Sequence, residues 1–237
     1  CAEMPRPEPR PPGIDASTRP RTASDARSEA PEDAGAYTME ALVGDALGVL
    51  ADAGEPRAVF VGLSLGAAVA LEVALRASDA VRGLVLASMP GGRGSGRGIS
   101  AHALAFAEAI EREGLESAGA RFAWGPGSGL DARGAALVRA GFLEHASHGL
   151  VGTLRGVLAG LAPVAERRAE LARVGAPTLV VAGMRDTASL EPSRALAESI
   201  PGARLEVVPN AGHVVNLAQP AAFDRALAAF LAALGPG

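Results

Sequence analysis

After Thr38 the apolar positions Leu42, Leu47 and Leu50 recur at helical spacing, with Thr38 suited to the N-cap and Gly54 to the stop. Ala58-Val59-Phe60-Val61 is a short apolar run of strand type. Leu65 to Ala77 reads as a helix rich in Ala, Val and Leu, and Gly83 to Ala87 as a second strand. Its uninterrupted apolar character suits a parallel sheet covered on both faces. Residues 101–173 read as consecutive helices without a strand candidate. Alternation then returns, with a strand at Thr178 to Ala182 and a helix at Leu190 to Ile200. A strand at Leu205 to Val208 and an amphipathic helix at Pro220 to Leu234 close the chain. This order predicts an α/β fold: a mostly parallel sheet with flanking helices and a helical cap insertion. The core is expected over 32–100 and 162–237, and the cap over 101–161.

Two stretches break the pattern. Residues 1–31 hold seven prolines and almost no large apolar residue beyond Met4 and Ile14. With few donors and nothing to bury, they read as a disordered or loosely attached arm. Gly91 to Gly98 is Gly-rich and reads as a hinge into the cap; no G-K-[ST] follows it, so it is not a phosphate loop.

Composition narrows the function classes. Of 237 residues, 49% are hydrophobic and 20% charged, as in an ordinary globular protein. A net charge of -4 without a basic stripe argues against a nucleic-acid surface. All 22 basic residues are Arg. The single cysteine, Cys1, excludes an internal disulfide and a multi-Cys zinc site. No apolar run of membrane-spanning length and no signal-peptide h-region is visible, so a cytoplasmic location is expected.

Gly62-Leu63-Ser64-Leu65-Gly66 fits G-x-S-x-G between a predicted strand and a predicted helix. A sharp turn there strains the backbone of Ser64 and presents its hydroxyl at the carboxyl end of the sheet. Gly62 and Gly66 are expected to avoid clashes across the turn. The Leu65 N–H, at the helix N-terminus, can point at a developing oxyanion. Asp186 and His213 follow two further predicted strands, where α/β sheets place their sites. A hydroxyl, an imidazole and a carboxylate at neighbouring strand ends suit nucleophilic catalysis.

From about Ser28 to Leu234 the chain resembles the α/β-hydrolase fold superfamily. It is similar to the capped serine hydrolases that include 3-oxoadipate enol-lactonases and carboxylesterases. Tyr37 to Glu40, Val59 to Gly66, Leu179 to Gly183 with Asp186, Ala211 to His213 and Gln219-Pro220 carry the resemblance. It implies Ser64 as nucleophile, His213 as general base and acid, and Asp186 as the residue orienting the imidazole. The expected reaction is cleavage of a small ester or lactone through an acyl-enzyme, without metal or organic cofactor. A departure accompanies it: no strand candidate precedes Ala58 and no His precedes His102. The family's earlier strands, and the loop donating a second oxyanion N–H, have no recognisable counterpart. Two alternatives follow. One is a truncated, weakly active or inactive chain, with an exposed strand edge open to homodimerisation. The other is the same triad used for C–C cleavage or elimination on a carboxylated substrate.

The remaining candidates have plainer readings. His145 and His148, beside Glu144, lack an evident third metal ligand and suit a solvated helix face. Phe106, Phe122, Trp124 and Phe142 can line an acyl pocket or pack the cap. Arg155, Arg167 and Arg168 can meet a substrate carboxylate or simply decorate helices.

Overall fold

The computed structural model describes residues 30–91 and 98–235. Most of the expected arm, and the centre of the Gly-rich break, lie outside the described residues. Four strands form one parallel sheet in the order β1 (Ala58–Leu63), β2 (Val81–Ala87), β3 (Thr178–Gly183) and β4 (Arg204–Val208). β2, which carries the apolar run Gly83 to Ala87, and β3 are the inner strands, and every residue of β3 is buried. β1 lies at one edge, with Val61 49% exposed and no strand on its outer side among the described residues.

Alternation of side chains sends each strand to two cores. On one face α1 (Met39–Asp52), α2 (Leu65–Arg76) and α7 (Thr187–Ser199) enclose Leu84, Leu86 and Val180. On the other, α8 (Val215–Ala218) and α9 (Pro220–Ala233) cover Val85, Val181 and Val208, with Phe230 buried against them. Thr38 caps α1 as expected, its Oγ1 accepting from Ala41 N–H at 3.1 Å. α7 starts three residues before the expected Leu190, because the Asp186 carbonyl already accepts from the N–H groups of Ser189 and Leu190.

Between β2 and β3 the chain forms α3 (Ile99–Phe122), α4 (Ala132–Leu143), α5 (Ser147–Gly156) and the short α6 (Arg168–Leu171). Gly114, at φ 78°, breaks α3 into two halves. These helices carry a third apolar cluster around Phe106, Ile110 and Leu154. α5 also sits directly on Tyr37: a Cβ at Gly152 would lie 2.3 Å from the ring, and one at Gly156 2.2 Å from the Tyr37 carbonyl oxygen. No single helix among the described residues is long and apolar enough to cross a membrane.

Candidate active site

β1 ends at Leu63, and Ser64 turns the chain into α2 with φ 53° and ψ -118°. The Ser64 N–H donates to the Ala87 carbonyl at 2.9 Å, tying the turn to β2. The turn needs Gly62, because a Cβ there would lie 2.1 Å from the Gly66 carbonyl oxygen. Gly66 corrects an expectation: a Cβ there meets nothing within 4 Å, so only one of the two glycines is required by packing. Leu65 opens α2, and its N–H is among those a helix leaves without an intrahelical acceptor.

Asp186 follows β3 and is 7% exposed. His213 follows β4 through a turn in which Asn210 adopts φ 60°. That turn lies against the end of β3, since a Cβ at Gly183 would come within 2.3 Å of the Gly212 carbonyl oxygen. The guanidinium of Arg185 donates to Asn210 Oδ1 at 2.9 Å and braces it.

These turns bring three side chains into one line. His213 Nδ1 lies 2.9 Å from Asp186 Oδ2, and His213 Nε2 lies 2.9 Å from Ser64 Oγ. Because a carboxylate only accepts, Nδ1 carries the proton and Nε2 is free to accept from the Ser64 hydroxyl. Burial pushes the Asp186 carboxyl up. The hydrogen bond and charge of His213, with donors from Ser189, outweigh this and hold it below its ordinary value.

Two neighbours were not singled out from the sequence. Ser189 is 1% exposed, with its hydroxyl 3.4 Å from His213 Nδ1. Its spacing of three residues from Asp186, within one helical turn, was the available signal. His102 packs edge-on against Phe122 and Phe106, at 5.3 and 6.4 Å between ring centroids. Desolvation first, and the charge of His213 second, hold its imidazole below the ordinary value. Phe106 stacks on Phe122 and Phe142, and Trp124 meets Phe142 edge-on, so the four aromatic candidates form one cluster. The Ser128 carbonyl lies against Gly212: a Cβ there would be 2.7 Å from it.

Four of the other candidates, Arg155, Arg167, His145 and His148, have partners elsewhere. Arg155 forms two 2.7 Å bonds to Glu111, and Arg167 pairs with Glu72 and Glu170. His145 Nδ1 lies 2.9 Å from the Gly141 carbonyl, and His148 Nε2 lies 3.0 Å from that of Ala30.

Comparisons with known proteins agree on a family. The model of the alpha/beta hydrolase family matches residues 9–226, so the match starts ahead of Ser28 and reaches into the Pro-rich stretch. A Bacillus subtilis (strain 168) protein, provisionally named 2-succinyl-6-hydroxy-2,4-cyclohexadiene-1-carboxylate synthase, is 27% identical over 214 residues, 87% of this chain and 77% of its own. A hydrolase from Pseudomonas aeruginosa PA01 superposes with a TM-score of 0.70 at 32% identity, covering 82% of this chain and 72% of its own. The enol-lactonase from Burkholderia xenovorans LB400 gives 0.72 at 26% identity, over 86% of this chain and 76% of its own. With a family match that runs through all four strands, and a sheet that superposes on solved hydrolases, the chain belongs to the alpha/beta hydrolase family.

Proposed function

We propose that this chain is a serine hydrolase of small esters or lactones, with Ser64, His213 and Asp186 as its catalytic triad. The observation that carries the reading is the pair of 2.9 Å contacts joining the three side chains. His213 Nε2 takes the Ser64 proton as Oγ attacks the substrate carbonyl carbon. The C=O electrons move onto oxygen, and the oxyanion meets the Leu65 N–H at the positive end of α2. Collapse of this intermediate expels the alkoxide, which takes the proton from His213 and leaves an acyl-serine. Water, deprotonated by His213, then attacks the ester; the acid departs and Ser64 recovers its proton. In a lactone the expelled hydroxyl stays tethered to the acid. Asp186 keeps the imidazole in the required tautomer and stabilises it when charged.

We take residues 101–161 as a cap over a core of 32–100 and 162–237. Contact of Ser128 with Gly212, beside His213, supports that reading. The aromatic cluster, joined edge-on by His102, offers an apolar surface suited to small acyl or ring substrates. A cytoplasmic setting accords with a lone thiol, and the open β1 edge is the surface we assign to homodimerisation.

The second reading, C–C cleavage or elimination on a carboxylated substrate, draws on the similarity to the Bacillus subtilis synthase. The Arg155–Glu111 pair weighs against Arg155 as the carboxylate anchor.

Covalent labelling by a fluorophosphonate, read by intact mass, tests the proposal. One adduct is expected on the wild type and none on Ser64→Ala. A folded wild-type protein that takes no adduct would overturn the hydrolase reading in favour of an inactive chain.

A further inference from the structure

A depression of about 470 Å³ opens where the four strands begin, at the opposite end of the sheet from Ser64. Arg57 directly precedes β1, Arg82 is the second residue of β2, Thr178 opens β3 and Arg204 opens β4. Phe230 and Leu234, at the end of α9, supply an apolar floor. Three of the four strands, and the residue leading into the fourth, therefore contribute to the same hollow.

Its electrostatics are one-sided. Among the described residues no carboxylate lines it, and none of the three arginines has an ion-pair partner. Arg57 donates to the Val81 carbonyl at 3.4 Å and Arg82 to that of Gly235, leaving most of their five N–H donors uncommitted. On a chain of net charge -4 this is a local reversal of sign.

The backbone is shaped to produce it. Ala58 pairs with Val81 but Val59 pairs with Gly83, so Arg82 is the extra residue of a β-bulge. Bulges bend a strand and re-aim the side chain they carry; here Arg82 donates to the Gly235 carbonyl, just beyond α9. Gly83 faces that helix end, where a Cβ would lie 2.7 Å from Leu234 Cδ1 and 3.3 Å from the Phe230 ring. The same two residues thus set a cation at the rim and an apolar surface beneath it.

We infer that this hollow is a second ligand site, for an organic phosphate or carboxylate whose anionic group meets Arg57, Arg82 and Arg204 and whose apolar part rests on Phe230 and Leu234. Its volume falls in the range of small-molecule sites. The length of β1 separates it from Ser64 by roughly 20 Å, so it stands independently of the hydrolase reading.

Calorimetric titration of the intact chain with hexyl phosphate, hexanoate and inorganic phosphate tests it. Hexyl phosphate or hexanoate is expected to bind, more weakly as salt is added, and more tightly than inorganic phosphate. Arg57→Gln and Arg204→Gln alter exposed side chains and should each weaken binding about tenfold, with hydrolysis of p-nitrophenyl butyrate unchanged. The stronger of the two organic probes identifies the head group. Equal affinity in the wild type and both variants would overturn the site, as would retention on anionic vesicles without binding of either free probe. Inorganic phosphate binding as tightly as hexyl phosphate would overturn the apolar floor.

Discussion

Ser64 holds a backbone conformation that costs a residue bearing a Cβ on the order of 1–3 kcal/mol, and the surrounding turn enforces it. Replacing its hydroxyl leaves the turn intact and removes the nucleophile. Ser64→Ala should keep the wild-type urea midpoint while ester turnover falls on the order of 10⁶-fold. Asp186 makes a different, pH-dependent contribution. Its folded pKa is lowered, so its ionised form adds stability at neutral pH, and that stability is lost as pH falls from the ordinary carboxylate range through the folded value. Ser189→Ala removes a donor to this carboxylate. The acid limb of the kcat/KM profile should move to higher pH and acid unfolding should begin earlier, while Ser189→Thr restores both. A profile unchanged in Ser189→Ala would leave Ser189 a packing residue only. The types and order of Ser64, Asp186 and His213 were legible because each follows an apolar strand run. Ser189 was hidden by its ordinary setting on a helix, and His102 because only folding brings it near His213.

The elements divide between what local pattern encodes and what tertiary contact decides. The apolar run Gly83 to Ala87 announced a buried parallel strand, and the strand–helix alternation a mostly parallel sheet; the bonded sheet bears both out. Glycines at element crossings were less readable, because their partners are distant in sequence. Gly62 and Gly66 look equivalent in the motif yet differ in packing. Gly62→Ala should cost about 3 kcal/mol or more by urea unfolding, since backbone atoms block the new methyl. Gly66→Ala should be neutral or stabilise by up to about 1 kcal/mol, through lower backbone entropy in the unfolded chain and better helix propensity. Equal losses in both variants would refute this asymmetry. Gly183 and Gly212 have the same hidden character: each lets the His213 turn touch a different part of the chain.

At the scale of the molecule the sheet is asymmetric. β3 is sealed on both faces, whereas β1 carries Val61 at 49% exposure and presents an unpaired outer edge among the described residues. Such an edge templates further strand pairing unless a charge interrupts it. Wild-type protein is expected to sediment with a concentration-dependent dimer, and Val61→Lys to sediment as a monomer with ester turnover retained. A wild-type monomer at every concentration would sink the dimer assignment. The sequence made this edge visible through the lack of a strand candidate before Ala58; it left the seating of α5 on Tyr37 unreadable. That seating restricts how the structure can breathe. With the Tyr37 ring filling the space where Gly152 would carry a side chain, and its carbonyl crowding Gly156, sideways sliding of α5 drives aromatic atoms into helix backbone. Amide hydrogens of α5 should therefore exchange together, as one opening event, rather than fray residue by residue from an end.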